Sequence, residues 1–358
     1  MRHTLHSLFA LLVLTFPTFG VLVKYDVSPD AVNDERKVLM LWENENIDFT
    51  FALISDSQIG MYDTYQLNGD GSDYKTELEN VKLMIEKLEK IEPKLSFIIL
   101  TGDIVNQKPF GTIETKNREY DPDMNKIQND EMKTVFEKTS LPVFVMPGNH
   151  DLGNDFNKTS LDNYYKNYGS DHYYFTRSNT AFVTLSTQHF NNDFEKVPEM
   201  EIYCENQWSW IEKTFANLAA NDNVHSVVVS MHIPIYLESV EEDETYDTWD
   251  IGSRKRFVDL VNSYFSEKST KTVYQFSGHT HRGADTSEFI QNSNAITTSL
   301  NVKTGDWEMK TDGGVRLVKN IGNELEHFWY HIDEIPAEFN SCVCHFAGIL
   351  GVFLLFLR

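Results

Sequence analysis

The sequence predicts an α/β fold arranged in layers, with mixed rather than purely parallel sheets. Short apolar runs rich in β-branched and aromatic residues alternate with helical segments through the first half of the chain, which is typical of strands joined by helices. Strand-like runs then follow one another closely near the end of the chain. This order indicates a layered arrangement in which some strands are antiparallel.

Helices are predicted where apolar residues repeat at helical spacing. Residues 74–91 place apolar side chains such as Leu78 and Val81 largely on one stripe, and Pro93 closes the segment. Further helices are predicted at 129–139, 160–168, 204–220 and 250–267. Strands outside the candidate site are predicted at Tyr173–Thr176, Thr180–Ser186, Ala295–Leu300, Val315–Val318 and Leu325–Ile332.

Five predicted strands end directly before polar clusters. The strands are Phe49–Ser55, Phe97–Thr101, Val143–Met146, Val227–Ser230 and Val273–Phe276. The clusters that follow them are Asp56-Ser57-Gln58, Gly102-Asp103, Gly148-Asn149-His150-Asp151, His232 and Gly278-His279-Thr280-His281. In α/β sheets, loops at the carboxyl ends of strands gather on one edge and build the ligand site. The Asp, Asn, Gln and His residues collected there predict a metal site with enough ligands for two ions.

Two polar inserts follow these clusters. Gln107–Asp130 is predicted as a long loop, and Glu238–Asp250, the acidic insert, carries seven acidic residues in the string ESVEEDETYDTWD. Both a solvated surface loop and a role at the rim of the site remain open for them. Most aromatic residues are predicted to pack in the core, but Tyr120 and Trp249 lie on the inserts and are candidates for substrate contact.

The order of the five clusters resembles that of the calcineurin-like metallophosphoesterases, over about Asn46 to Ile335. The stretches GNHDLGN, ENQWSWIE, HIPIYLESVEEDE and FSGHTHR are similar to one subgroup, the calcineurin-like phosphoesterase domain-containing serine/threonine phosphatases. This resemblance implies one domain, residues 45–335, folded as a four-layer α/β/β/α sandwich with two mixed sheets.

The resemblance also implies two divalent metal ions (Mn, Fe, Zn or Mg). The implied ligands of the first metal are Asp56, Gln58, Asp103 and His281. The implied ligands of the second metal are Asp103, Asn149, His232 and His279. Asp103 would therefore bridge the ions. Asn149 and His150 would contact the substrate, His150 as proton donor or phosphate contact, and Asp151 would orient His150. An amide is a weaker metal ligand than imidazole. With Gln58 as a ligand, the first site is therefore predicted to favour harder ions and to lose its metal more easily than the second site.

The implied function is hydrolysis of phosphomonoesters through attack of a metal-bridging hydroxide on phosphorus, with phosphoserine or phosphothreonine in proteins as substrate. The alternatives are a secreted hydrolase of nucleotides or other small phosphoesters, including diesters, and a metal-stabilised binding protein at the cell surface. A purple acid phosphatase would carry Tyr where Asn106 stands, and sphingomyelinase-like relatives are rich in cysteine. A purely structural metal site would not require His150 and Asp151.

Charge and cysteine content limit the remaining possibilities. The chain has 31 Lys and Arg against 54 Asp and Glu, a net charge of −23, which argues against nucleic-acid binding through a basic surface. Its three cysteines cannot form a dense disulfide framework, and Cys204, the one outside the hydrophobic tail, is predicted to be a buried structural thiol.

Both ends of the chain predict a secretory route. Basic residues before the apolar run Leu8–Leu14, and small residues near Gly20, predict a signal peptide at 1–20 rather than a buried N-terminal segment. The hydrophobic tail at 342–358 would span only ~24 Å as a helix, which suits a removable lipid-anchor signal better than a membrane span. The predicted attachment region is Asn340, Ser341 or Cys342. Asn157 begins a glycosylation sequon. The expected location is extracellular or cell-surface, with the cytoplasm as the alternative.

Overall fold

The computed structural model describes residues 48–339, except 114–117, 154–155, 192–196, 266–268, 282–284, 287–293, 297–301, 305–307 and 311–312. The predicted signal peptide, the hydrophobic tail and part of the predicted strand Ala295–Leu300 lie outside the described residues. The strands are β1 (Phe49–Ile54), β2 (Ile98–Leu100), β3 (Thr112–Ile113), β4 (Arg118–Glu119), β5 (Val143–Val145), β6 (Tyr173–Arg177), β7 (Thr180–Thr184), β8 (Ser226–Ser230), β9 (Thr272–Ser277), β10 (Asp285–Thr286), β11 (Asn294–Ile296), β12 (Val302–Thr304), β13 (Glu308–Lys310), β14 (Gly314–Ile321) and β15 (Glu324–His331). The helices are α1 (Met61–Tyr65), α2 (Lys75–Leu88), α3 (Pro122–Lys138), α4 (Asn149–Leu152), α5 (Lys158–Tyr168), α6 (Glu201–Ala220) and α7 (Ile251–Tyr264).

Two mixed sheets form the centre of the fold. The first has the order β15-β14-β1-β2-β5, with β1, β2 and β5 parallel and the hairpin β14–β15 added antiparallel to β1. The second has the order β10-β11-β9-β8-β7-β6, with parallel strands in the middle and antiparallel strands at both edges. The predicted mixed sheets are thereby confirmed.

Three apolar layers show why the molecule is a four-layer sandwich. Along β1, Phe51 and Leu53 face a core shared with Phe182 and Phe276 of the second sheet. The alternate residue Ala52 faces the opposite side, where α2, α3 and α5 cover the first sheet. Helices α6 and α7 cover the outer face of the second sheet in the same way. Because both faces of each central strand are buried, apolar residues predominate along these strands, as the sequence predicted.

Helix α3 begins earlier than predicted. The sequence predicted a loop over Gln107–Asp130 and a helix from residue 129, but α3 begins at Pro122. The Asp121 side chain accepts a hydrogen bond from the Asp123 main-chain NH, and proline is well suited to the first helical position. The remaining loop also contains the small hairpin β3–β4.

The structure also bears on the thiol of α6 and on whether a helix could cross a membrane. Cys204, in α6, is only partly buried, which corrects the prediction of a buried structural cysteine. In the part of the chain that the structure describes, none of the helices combines the length and apolar character needed to cross a membrane.

Candidate metal centre

The five polar loops meet at the carboxyl ends of β1, β2, β5, β8 and β9. Main-chain hydrogen bonds join them in pairs: Asp56 N donates to the Gly102 carbonyl at 3.0 Å, and Gly278 N donates to the His232 carbonyl at 3.0 Å. Each of these two bonds joins loops of the same sheet. A third bond joins the two sheets, because His279 N of the second sheet donates to Asp56 Oδ2 of the first sheet at 3.0 Å. The edges of the two sheets therefore build one site.

Two groups of potential ligands share Asp103. Asp103, His232 and His279 place their ligand atoms within 4.8 Å of one another, and so do Asp56, Asp103 and His281. All five side chains are buried. This is the grouping that the family resemblance implies for two ions that share one carboxylate.

The amide side chains lie against the same groups. Asn149 Oδ1 is 3.1 Å from His232 Nε2, so the asparagine joins the group of Asp103, His232 and His279. Gln58 Nε2 donates to Asp103 Oδ2 at 3.0 Å, which places the glutamine beside the shared carboxylate. The structure thus brings together all seven residues that were predicted as ligands.

His232 shows that this group of residues fits a cation. Its Nδ1 lies 2.8 Å from the Thr101 carbonyl, which can only accept, so Nδ1 carries a proton. The other ring nitrogen, Nε2, faces two oxygens, Asp103 Oδ1 at 3.3 Å and Asn149 Oδ1 at 3.1 Å. A ring nitrogen and two oxygens that converge in a buried site are satisfied by a shared positive charge, either a proton on Nε2 or a metal ion that replaces that proton. Neutral imidazole, carboxylate and amide oxygen are ligands that Mn²⁺, Fe²⁺ and Zn²⁺ accept.

The second group has the same character. His281 Nε2 lies 3.2 Å from Asp56 Oδ1, and its buried Nδ1 has no hydrogen-bond partner among the described residues. Asp56 is fully buried and also accepts from the main-chain NH of His279. These residues would hold a first divalent cation next to Gln58.

Electrostatics of the site favour positive charge. Burial alone would raise the pKa of Asp103, but the nearby His232 and His150 outweigh it and hold the pKa far below its ordinary value. Burial likewise works against the low pKa of Asp56, which His232 and His281 maintain. Burial would lower the pKa of His232, yet the Asp103 and Asp56 carboxylates raise it to about 9. The carboxylates therefore stay ionised, with a proton on His232 as counter-charge in the metal-free protein. Bound divalent cations would replace that proton and supply the counter-charge.

Five of the predicted ligands have left-handed backbone conformations. The φ angles are 53° at Asp56, 32° at Gln58, 51° at Asp103, 73° at His279 and 54° at His281. Only two other non-glycine residues in the described part of the chain share this conformation. Such conformations cost about 1–3 kcal/mol each and concentrate at functional sites. The strained backbone conformations turn these side chains toward one point.

Glycines allow the ligand loops to approach one another closely. A Cβ on Gly148 would lie 2.1 Å from Asp103 Oδ1, and a Cβ on Gly278 would lie 1.7 Å from Ser55 Oγ and 2.4 Å from Asp56 Oδ2. Because no side chain fits between these loops, the glycines of the Gly-Asn-His-Asp and Gly-His-x-His clusters are needed for close packing.

His150 stands beside the ligands and is held by the main chain. Its NH donates to Asp103 Oδ1 at 2.7 Å, and its ring Nδ1 lies 2.5 Å from the Asn106 carbonyl. Nδ1 is therefore protonated and Nε2 is the basic nitrogen. Burial lowers the pKa of His150 to about 3, so the ring is neutral near pH 7.

Asp151 has a different partner from the one predicted. Its carboxylate accepts from the main-chain NH of Gly148 at 2.7 Å and of Ile104 at 3.1 Å, and so ties two ligand loops together. The ring of His150 is oriented by the Asn106 carbonyl instead. Burial and the neighbouring Asp103 charge raise the pKa of Asp151 to about 8. Its role is to position the loops.

Of the two insert residues predicted as candidates for substrate contact, only one lies near the site. The Tyr120 ring lies 6.3 Å from the His150 ring, and its hydroxyl is 2.9 Å from that of Tyr65. Trp249 is instead fully buried in the core against Phe190 and Phe257, so the prediction of substrate contact is wrong for it.

Tyr246, from the acidic insert, reaches the centre and was not predicted from the sequence. Its hydroxyl is 3.3 Å from Asn149 Nδ2, and its ring is 5.0 Å from the ring of His279. Part of the acidic insert therefore lies at the rim of the site. The position of the insert directly after the His232 loop was the available signal, but it did not distinguish Tyr246 from Trp249.

Comparisons with known proteins agree with this architecture. The family model for the calcineurin-like phosphoesterases matches residues 49–283. The serine/threonine-protein phosphatases CPPED1 of Homo sapiens and Mus musculus are 25% and 27% identical over 294 and 293 residues, covering 80% of this chain and 85% of each relative. The crystal structure of a dimetal phosphatase from Danio rerio has a similar fold, with a TM-score of 0.50 at 14% identity, covering 78% of this chain and 98% of that one.

The chain belongs to the calcineurin-like phosphoesterase family. Within it, the chain is a metallophosphoesterase similar to the CPPED1 group along most of the length of both proteins.

Proposed function

We propose that this protein hydrolyses phosphate monoesters with two divalent cations, and that its substrates are phosphoserine and phosphothreonine in proteins. The observation that carries the proposal is the shared position of Asp103 between two buried groups of ligands. The similarity to relatives named serine/threonine-protein phosphatases supports the substrate class.

The seven ligand residues would be distributed over two cations. Asp56, Gln58 and His281 would hold one cation, and Asn149, His232 and His279 would hold the other, with Asp103 between them. When bound, the cations supply Lewis-acid activation of water and neutralise charge on the phosphoryl group. Two carboxylates against two divalent ions leave a local charge of about +2, which attracts a phosphate dianion because bound ions dominate the nearby field. The overall charge of −23 does not prevent this.

His150 would handle the proton of the leaving group. Its protonated Nδ1 is occupied by the Asn106 carbonyl, so Nε2 is the atom that would take up a proton beside the phosphate dianion. Once protonated, Nε2 would bind a phosphoryl oxygen or pass the proton to the leaving group. Tyr120, beside the ring, helps to enclose it. Enclosure in a site that excludes water strengthens each of these polar interactions.

A substrate panel combined with one substitution tests the proposal. Purified protein is assayed with Mn²⁺, Zn²⁺ and Mg²⁺ on phosphoserine and phosphothreonine peptides, nucleotides and phosphodiesters. We expect the phosphopeptides to be hydrolysed fastest. Asp103→Asn should lose nearly all turnover and metal content, whereas Asp333→Asn, whose side chain is 88% exposed, should behave as the unmodified protein.

The same panel identifies the competing functions. Preference for nucleotides or diesters would replace the protein-phosphatase proposal with one of a small-phosphoester hydrolase or phosphodiesterase. Stoichiometric metal without turnover on any ester would favour a metal-stabilised binding protein. Full activity in the absence of metal, verified by elemental analysis, would overturn the proposal altogether.

We also propose that the protein acts outside the cytoplasm, attached to the outer cell surface through a lipid added near Ser341. The proposal rests on the composition of residues 1–20 and 342–358. Treatment of intact cells with a phospholipase that cleaves lipid anchors should release active protein. Recovery of the protein only from the cytosol would contradict this location.

A further inference from the structure

Tyr246 makes two different polar contacts with residues of the second predicted metal group. Its main-chain carbonyl lies 3.1 Å from His279 Nε2, and its side-chain hydroxyl lies 3.3 Å from Asn149 Nδ2. No metal-binding role was predicted for this residue, and it comes from the acidic insert, which is separate in sequence from both partners. One residue thus contacts an imidazole and an amide that would bind the same ion.

Each contact decides which atom of its partner can bind metal. A carbonyl only accepts, so His279 Nε2 carries the proton and Nδ1 is left with the lone pair. The Asn149 amide offers NH₂ to the Tyr246 hydroxyl, so Oδ1, the only atom of the amide suited to a metal, points to His232 and away from the tyrosine. Both contacts present a metal-binding atom to the centre.

We propose that Tyr246 is a positioning residue for the second cation, whose ligands Asn149 and His279 it holds in the orientation that binds metal. The inference rests on the proposed function, since it assumes that this group binds a cation. Partners of this kind behind metal ligands typically change metal affinity by roughly 10- to 100-fold.

The acidic insert is built firmly enough to hold Tyr246 in place. The buried guanidinium of Arg254 donates from Nη1 to the Val240 and Glu242 carbonyls at 3.1 and 2.8 Å, and from Nη2 to the Trp249 carbonyl at 2.9 Å. The Trp249 indole donates to the Ile233 carbonyl at 2.8 Å. These anchors lie on both sides of Tyr246, so its carbonyl has a fixed position while 43% of the residue stays exposed.

The affinity test uses Mn²⁺ and Tyr246→Phe. Binding of Mn²⁺ to metal-free protein is measured by equilibrium dialysis for the unmodified chain and for the variant, which keeps the ring beside His279 but lacks the hydroxyl. We expect the affinity for one equivalent to fall roughly tenfold or more and the affinity for the other to stay the same. Tyr264→Phe, which removes a hydroxyl from α7, is the matched control and should bind both equivalents normally.

A spectroscopic test addresses the carbonyl contact. Long-range ¹H–¹⁵N spectra of the histidine rings in metal-free protein should show His279 with its proton on Nε2. A His279 ring protonated on Nδ1, or unchanged binding of both Mn²⁺ equivalents by a folded Tyr246→Phe protein, would overturn the inference. A chain that binds no Mn²⁺ at all would instead remove the proposed function, so the two failures are distinguishable.

Discussion

At the scale of single residues, main-chain carbonyls decide which histidine nitrogens are free to act. Thr101 holds His232, Asn106 holds His150, and Tyr246 holds His279. In each ring, the nitrogen that faces the carbonyl carries a proton, and the other nitrogen is the one that a metal ion or a substrate can reach. The reactive geometry therefore depends on backbone atoms as much as on the side chains that are visible in the sequence.

Replacing His150 with alanine should separate chemistry from metal binding. Its ring has no place in either group of ligands, so we expect both cations to remain bound and the rate to fall about 10²- to 10⁴-fold, as for other general acid–base residues. Elemental analysis and the turnover number on a phosphopeptide measure the two effects. Full turnover in His150→Ala would show that the assigned role is wrong.

The ligands could be predicted from the sequence but the groups that orient them could not, for a physical reason. Asp56, Asp103 and His232 could be predicted because each directly follows a strand, and strand ends meet at one edge of a sheet. The Thr101 carbonyl that orients His232 is 131 positions away, and the Tyr246 carbonyl that orients His279 is 33 positions away. Carbonyls have no sequence signature, so tertiary structure is needed to identify them.

At the scale of loops and helices, close packing of the ligand loops gives a second prediction. The alanine Cβ in Gly148→Ala would lie 2.1 Å from Asp103 Oδ1 and 2.4 Å from Asp103 N, so the shared carboxylate must move. We expect weaker binding of both cations and a strong loss of activity, measured by equilibrium dialysis and assay.

Gly322→Ala is the control for this substitution. Gly322 has a φ of 61° but open space around the added Cβ, so alanine there costs only about 1 kcal/mol of backbone energy. Metal binding should be unaffected in this variant. Equal effects of the two substitutions on metal binding would contradict the importance of the close approach at Gly148.

Glu77 links the helices next to the first ligand loop and should make stability depend on pH. It is buried at the start of α2 and accepts from the main-chain NH groups of Gly60 and Tyr62 at 2.6 and 2.8 Å. Burial raises its pKa from 4.5 to about 7. Since the folded protein binds this proton more tightly, the stabilisation is complete below pH 4.5 and is lost as the pH rises through 7.

Urea unfolding of metal-free protein at pH 5 and pH 8 measures this effect. Glu77 should lower the free energy of unfolding by on the order of 3 kcal/mol between these values, and Glu77→Gln should lack that component. Glu79→Gln, an exposed substitution on the same helix, should keep the pH dependence of the unmodified chain. An identical pH dependence in all three proteins would exclude Glu77 as its source.

Helices α2 and α3 show which parts of a helix can be predicted from sequence patterns. The apolar stripe of α2 was predicted well, because Leu78, Val81 and Leu88 are buried as expected. The start of α3 was missed because its first turn is polar and is defined by the Asp121 cap and Pro122, not by an apolar repeat. Amphipathic periodicity locates the middle of a helix better than its ends.

At the scale of the whole molecule, removal of metal should lower thermal stability. The site brings the buried carboxylates of Asp56 and Asp103 together, and bound cations would compensate their charge. Free Mn²⁺ at 100 times its dissociation constant should add about 2.7 kcal/mol to the free energy of unfolding. Calorimetry in Mn²⁺ and in a chelator should therefore give a lower midpoint without metal. Equal midpoints, or an equal shift in Asp103→Asn, would contradict this.

The fold itself could be predicted because its strands are buried on both faces. Phe51, Phe97 and Phe182 pack with ring centroids about 5.1 Å apart between the two sheets, and such aromatic and β-branched runs identify strands without help from loops. The sheet order could not be obtained in the same way, because β14 pairs with β1 across more than 250 positions.

That pairing has a consequence for how the protein is made. On the ribosome, β1 emerges early, yet one of its edges stays unpaired until β14, near the end of the domain, has left the exit tunnel. The first sheet can close only after nearly all of the domain has been synthesised, and until then an apolar edge is open to other chains. A nonsense mutation between residues 282 and 313 should therefore yield insoluble product, even though every proposed ligand would already be present.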